Sequence, residues 1–230
     1  MTRKQAVRIC TDGAMTVLLL LLMAYSLVGA QAHEWLGIGM FVLVVLHHVL
    51  NRKWTESVMQ GRYRAVRVLQ TVLVCCVLIS MLGSMVSGAI LSRYALSFLP
   101  ISGGKSFGRV LHMLSAYWGF VCMSLHLGFH WDIILSMAHR AGPVKSAARG
   151  RLLRYLGLLI AAYGIYAFAK REIGNYLLLQ TQFVFFDFEE PLGLFLLDYV
   201  AAMGLFVWIG HYGAKGLRRI VRRRDGKTSD

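Results

Sequence analysis

Four histidines form two pairs with the same spacing: His33 with His47, and His112 with His126, each 14 residues apart. In an α-helix, 14 residues end about 40° short of four full turns, so both rings of a pair lie on one face, about 21 Å apart along the axis. Neutral imidazole binds iron and zinc through a ring nitrogen. Two such helices side by side would bring their histidines together at two levels, which predicts two haems, each held by two imidazoles.

Composition indicates what kind of protein must position these histidines. Of the 230 residues, 57% are hydrophobic and 16% are charged, and the mean hydropathy is +0.57. These values exclude a soluble domain and predict an integral membrane protein surrounded by a lipid bilayer. The four cysteines form no C-x-x-C pair, so we expect neither disulfides nor covalently attached c-type haem.

Long apolar intervals with few or no charged residues predict six transmembrane helices. The predicted spans are 14–30, 35–50, 68–91, 110–137, 152–169 and 192–212. The first is long enough to be a retained helix rather than a cleaved signal peptide. The predicted fold is therefore an all-α membrane bundle. Residues 1–140 would form a four-helix haem-binding core, and residues 141–230 would add two helices, an outer interfacial segment at 171–190 and a basic tail.

Basic residues are distributed unequally between the two sides of this predicted bundle. The loops on one side contain 20 of the 25 lysine and arginine residues. By the positive-inside rule this side is the cytoplasm, and both termini lie there. The net charge of +14 follows from the same asymmetry. We therefore interpret the tail 215–227 as a topology and lipid anchor, and we expect no nucleic-acid partner.

This topology places the paired histidines at matching depths. The second and fourth spans both run from outside to inside, so His33 and His112 lie near the outer face, and His47 and His126 lie nearer the inner face. Histidines inside a bilayer are energetically costly and usually functional. A haem between helices also needs small residues beside its macrocycle. Candidates for this role are Gly37, Gly39, Gly119 and Gly128.

The ligands of the inner haem have alternatives. His48 is next to His47, and His130 follows His126 by one helical turn. Equal spacing favours His47 with His126, and His48 and His130 would then form hydrogen bonds around the haem. A second interpretation gives them a proton-handling role at a quinone site beside Asp132.

Charged residues flank both predicted haems. Arg109, one turn before His112, and Arg52 or Lys53, just past His47, can meet haem propionates. Their alternative role is snorkelling toward lipid phosphates.

Four further polar residues have simpler interpretations. We expect His139 and His211 at the membrane interface, and Asp12 as a helix cap. Asp198, inside the sixth span, would either snorkel or belong to a proton path.

Several motifs carrying these histidines resemble a known family. They are HEWLG at 33–37, HHVLN at 47–51 with Trp54, SGAILS at 87–92, and LHMLSAYWGF and SLHLGFHW within 111–131. Over roughly residues 8–137, the chain resembles the flavinylation-associated diheme cytochromes b, long catalogued only as a domain of unknown function. That family is similar in architecture to the cytochrome b subunits of formate dehydrogenases and hydrogenases.

The resemblance implies a four-helix core with two b-type haems in the bacterial cytoplasmic membrane. The ligands that it implies are His33, His112, His47 or His48, and His126 or His130. It also implies an electron-transfer subunit that works between quinol, or a separate flavoprotein or iron–sulfur partner, and another acceptor; a homo-oligomer is compatible with this role. The alternatives are a stand-alone quinol-dependent reductase and a divalent-metal transporter.

Overall fold

The computed structural model describes residues 2–58, 60, 65–141, 147–184 and 187–227. All regular secondary structure within these ranges is α-helical. The helices in chain order are α1 (Arg3–Met23), α2 (Tyr25–Val28), α3 (Ala30–Leu50), α4 (Arg52–Val58), α5 (Ala65–Leu91), α6 (Lys105–Phe129), α7 (Trp131–Ala141), α8 (Ala147–Lys170), α9 (Ile173–Leu177) and α10 (Leu192–Lys227).

Six helices in the described part of the chain are long and apolar enough to cross a membrane: α1, α3, α5, α6, α8 and α10. Their apolar windows have mean hydropathies between 1.3 and 2.2. A span of about 20 apolar residues crosses a bilayer, and a helix satisfies its own backbone hydrogen bonds there. Large apolar side chains remain exposed on the helix surfaces, such as Ile79 at 69% and Leu159 at 65%. The predicted all-α membrane bundle with six transmembrane helices is confirmed.

The first helix begins earlier than predicted because of a capping box. The Thr2 hydroxyl accepts a hydrogen bond from the Gln5 backbone N–H, and the Gln5 side chain accepts one from the Thr2 N–H. This reciprocal pair satisfies two amides that a helix start leaves unpaired. Asp12 therefore lies inside α1, and the expectation that it caps a helix is wrong.

The predicted span 110–137 is two helices that meet at His130. The His130 backbone N–H is 3.1 Å from the Leu127 carbonyl and 3.4 Å from the His126 carbonyl. The preference for the nearer carbonyl tightens the last turn, as is common at helix ends. The new helix then starts with Asp132 in its first turn, where a negative charge is favourable.

The chain divides into two compact units. The first contains Met1–Arg62, Ile79–Tyr117 and Asn175–Leu197, and the second contains Tyr63–Leu78, Trp118–Gly174 and Asp198–Asp230. In the first unit, α1 packs along α3. Gly29 connects α2 to α3 with a φ of 85°, a conformation that glycine adopts without a steric penalty.

In the second unit, glycines let helix backbones approach closely. A Cβ atom at Gly128 would lie 2.4 Å from the Val207 carbonyl oxygen, and one at Gly210 would lie 2.5 Å from the Leu125 carbonyl oxygen. Such contacts between small residues are typical of transmembrane helix pairs. Gly128, for which the sequence suggests clearance beside a haem, instead packs against α10.

The segment predicted as an outer interfacial helix or cap is mostly irregular. Its helical part within the described residues is the short α9, in which Tyr176 is buried. The Tyr176 ring stacks on Tyr117 of α6, with ring centroids 4.6 Å apart. Because Tyr117 follows His112 by five residues, this stacking holds the segment against the same helix that carries the outer histidine.

Candidate functional site

His33 of α3 and His112 of α6 face each other in the first unit. Their ring centroids are 5.9 Å apart and their planes make an angle of 68°. Two imidazoles bound on opposite sides of one metal, each through a bond of about 2.0 Å, would have ring centroids about 6 Å apart. The structure therefore brings the predicted outer pair together at a separation suited to a shared metal.

Ser87 of α5 holds the His112 ring. Its hydroxyl is fully buried and lies 3.0 Å from His112 Nδ1 and 2.5 Å from the Gly83 carbonyl oxygen. Since the hydroxyl donates its one proton to the closer carbonyl, it accepts from Nδ1–H. His112 Nε2 is then unprotonated in the neutral ring, which is the state that binds a metal.

The His33 ring has a buried nitrogen available. Its Nδ1 is buried and makes no hydrogen bond of standard geometry with the described residues. The ring of Tyr25 in α2 packs edge-on against it, with the two ring centroids 5.0 Å apart. Unpaired buried polar atoms are rare in folded proteins and call for an explanation. One turn further along α3, a Cβ atom added to Gly37 would meet nothing within 4 Å. The open space at Gly37 would leave room for a flat ligand beside His33.

Glu34, next to His33, joins α3 to the turn after α5. Its carboxylate accepts hydrogen bonds from the Ser92 hydroxyl at 2.7 Å and from three successive backbone N–H groups, those of Arg93, Tyr94 and Ala95, at 2.8 to 2.9 Å. Hydrogen bonds to an ionised acceptor are stronger than neutral ones. Glu34 thus fixes the start of the histidine-bearing α3 to the end of α5, the helix whose Ser87 holds His112.

His47 pairs with a carboxylate of α1. Asp12 Oδ1 is 2.7 Å from His47 Nδ1, and in a carboxylate–histidine pair the ring donates this hydrogen bond. The neighbouring His48 donates from Nδ1 to the Val44 carbonyl oxygen at 2.9 Å. Both rings therefore keep Nε2 available as a ligand, and the choice between them stays open.

His126 of α6 and His130, just after the end of α6, lie in the second unit. The rings of His126 and His130 are 4.9 Å apart, and the Gln70 amide nitrogen is 3.2 Å from His130 Nε2. Ligation through that nitrogen would break this hydrogen bond, which favours His126 as the ligand. His47 and His48 belong to the first unit, so the pairing of His47 with His126 stays a prediction.

The other predicted residues fall in different surroundings. Arg109 of α6 and Arg52 of α4 are both exposed, as is Lys53, and their contact with haem propionates stays a prediction. His211 is buried rather than exposed at an interface, and its Nδ1 is 3.6 Å from Asp132. The side chain of His139 lies outside the described residues.

Asp198 is the centre of a buried ion cluster in the second unit. It is 1% exposed, and its carboxylate accepts from the Tyr163 hydroxyl at 2.6 Å, from Lys170 at 2.8 Å and from Arg171 at 2.7 and 2.8 Å. A buried carboxylate needs such partners to offset its lost hydration. Asp198 is therefore fixed between two cations and does not snorkel.

Three of these polar interactions were not predicted from the sequence: that of Ser87 with His112, that of Glu34 with the turn after α5, and that of Asp12 with His47. Ser87 and Glu34 lie in the motifs SGAILS and HEWLG, but the resemblance assigns them no role. A carboxylate beside a histidine in an apolar span, and a serine beside a glycine in another, are signals that would have singled them out. Their partners lie 25 to 61 residues away along the chain, so only the folded structure identifies them.

Comparisons with known proteins give no relative. No protein family, no curated protein and no solved structure matches this chain. The resemblance to diheme cytochromes b therefore stays a prediction, carried by the motifs and histidine spacing.

Proposed function

We propose that the chain is a transmembrane b-type cytochrome in which His33 and His112 would hold one haem. The observation that carries the proposal is the pair of imidazoles from α3 and α6, 5.9 Å apart. Both lie on apolar helices that are long enough to span a membrane. Polar side chains in such helices are costly unless they have a function or a partner.

The number of protein ligands favours haem over a zinc or iron ion. Zinc sites take three or four ligands from the protein, whereas a haem iron needs only two axial ligands because the macrocycle supplies the others. In the part of the chain that the structure describes, no group of three or more His, Cys, Asp and Glu side chains is placed to hold a metal ion. A pair of imidazoles suits the haem.

The residues around the pair would position the axial ligands. A bound haem would supply a one-electron iron couple. Ser87 would keep His112 in the tautomer that leaves Nε2 free, and Glu34 would hold the start of α3 so that His33 stays opposite. The apolar helix surfaces would exclude water and help to set the potential of the iron.

The wider role follows from the sequence. The histidine spacing predicts a second haem on His47 and His126, and we propose that the chain carries electrons across the bacterial cytoplasmic membrane, with both termini in the cytoplasm. The donor would be quinol or a separate flavoprotein or iron–sulfur protein. The chain would then be an electron-transfer subunit of an oxidoreductase system.

Haem quantification tests this proposal. The purified chain would be compared with His33→Ala and His112→Ala by reduced-minus-oxidised spectra, pyridine haemochrome and metal analysis. We expect two b haems per wild-type chain and one in each variant. His211→Gln, which removes a histidine of α10 with no assigned haem role, is the matched control and should retain both haems. A colourless protein with bound zinc would contradict the proposal.

A further inference from the structure

The helices α8 and α10 leave a groove at the end that carries Arg154 and Lys215. Cβ atoms added to glycines along the pair measure the separation of the helices. At Gly164 such an atom would lie 2.3 Å from the Ala201 carbonyl oxygen, and at Gly204 it would lie 2.5 Å from the Ile160 side chain. At Gly157 the nearest atom, on the Trp208 ring, is already 3.9 Å away. The two helices therefore pack tightly at one end and leave a groove at the other.

This groove is strongly basic. It has a volume of about 270 Å³ and is lined by Arg154 of α8 and by Tyr212, Lys215, Gly216 and Arg219 of α10. The α10 residues lie at intervals of three and four, so they share one face of the helix. No carboxylate lines the groove, and none of its three cations forms a salt bridge within the described part of the chain.

The surroundings of the groove indicate the kind of anion that it would hold. Leu158 of α8 lies one turn from Arg154 and is 53% exposed. Ile209 of α10 lies three residues before Tyr212 and is 44% exposed. These apolar side chains lie on the spans themselves, where they would contact acyl chains. The Tyr212 ring packs on Trp208 with centroids 4.8 Å apart, and both aromatic types are enriched where a membrane meets water.

We propose that this groove binds the phosphate headgroup of an anionic membrane lipid. Arg154, Lys215 and Arg219 surround the phosphate with charge-assisted hydrogen bonds, and the acyl chains extend along the apolar surfaces of α8 and α10. The Gly216 backbone leaves room for the headgroup, because a Cβ atom there would meet nothing within 4 Å. A lipid fits better than free phosphate, since apolar and basic residues adjoin on both helices.

Native mass spectrometry of the purified full chain in detergent tests the site. The probes are phosphatidylglycerol, phosphatidylcholine and inorganic phosphate. Each basic residue near an anionic lipid contributes about fivefold in affinity. We therefore expect Arg154→Gln/Arg219→Gln to bind phosphatidylglycerol about 25-fold more weakly than the wild type. The single variant Lys215→Gln should lose about fivefold, which provides a second test if the double variant does not fold.

The matched control removes the same charge outside both the groove and the basic tail. Arg3 and Lys4 of α1 are exposed and do not line the groove, so Arg3→Gln/Lys4→Gln should bind phosphatidylglycerol within about threefold of the wild type. Equal losses in both double variants, or no loss in the groove variants, would overturn the proposal. So would phosphatidylcholine or inorganic phosphate binding as tightly as phosphatidylglycerol.

Discussion

Replacing Asp198 by asparagine removes the negative charge that Lys170 and Arg171 share in the ion cluster. The carboxylate is 1% exposed and is bound by Tyr163, Lys170 and Arg171. Removing one partner of a buried ion pair costs about 3–5 kcal/mol. The Lys170 side chain is 42% exposed and can turn to water, whereas that of Arg171 is only 13% exposed. We therefore expect a cost near the lower limit, about 3 kcal/mol.

Thermal unfolding in detergent measures this cost. For a chain of this size, about 1 kcal/mol corresponds to roughly 2–4 °C in Tm, so Asp198→Asn should lower Tm by about 6–12 °C. Asp187 is an exposed carboxylate, and Asp187→Asn serves as the control, with an expected cost below about 1 kcal/mol.

A double variant separates the lost charge from the lost packing. Adding Arg171→Gln to Asp198→Asn also removes the more buried of the two cations that lose the Asp198 carboxylate, so Tm should recover in part. The Tm of the single variant Arg171→Gln is measured as well. If the Tm losses of the two single variants simply add in the double variant, or if Asp198→Asn has the same Tm as the wild type, the cluster does not hold α8 and α10 together by charge.

Three further predictions each concern the substitution of a single residue. Ser87→Ala removes the group that holds a ligand ring and should weaken retention of the outer haem about tenfold, measured as haem per chain during detergent washing; unchanged retention would contradict this. Asp12→Asn removes the negative charge beside His47 and should raise the potential of the inner haem by tens of millivolts in a redox titration, whereas an unchanged potential would separate Asp12 from that haem. Gly128→Ala places a Cβ atom against the α10 backbone and should cost about 1–3 kcal/mol in thermal unfolding. Gly213→Ala of α10, made in open space, is its control and should not lower the stability.

Composition predicts the six transmembrane helices because crossing a bilayer needs about 20 apolar residues and allows few charges. The exact ends depend on local hydrogen bonds. Thr2 and Gln5 extend α1 to the start of the chain, and the change of hydrogen-bond partner at His130 divides the predicted fourth span. Such details require the backbone geometry as well as the hydrophobic pattern.

Helical spacing also predicts which face of its helix each paired histidine occupies, and His33 and His112 are indeed adjacent. The polar partners of the histidines could not be predicted in this way. Asp12 and His47 lie 35 residues apart on different helices, and hydropathy indicates nothing about their register. The role of Gly128 likewise depends on α10, because the backbone atoms that approach it belong to Val207 and Gly210, which are distant in sequence.

The central claim is that His33 and His112 ligate the same haem, and electron paramagnetic resonance of the oxidised protein tests it most directly. A ferric haem with two imidazole ligands is low-spin, so the wild-type protein should show low-spin signals alone. In His33→Ala and in His112→Ala, one of these signals should disappear, either because the haem is lost or because it becomes high-spin. A high-spin haem in the wild type, or unchanged low-spin signals in both variants, would contradict the assignment.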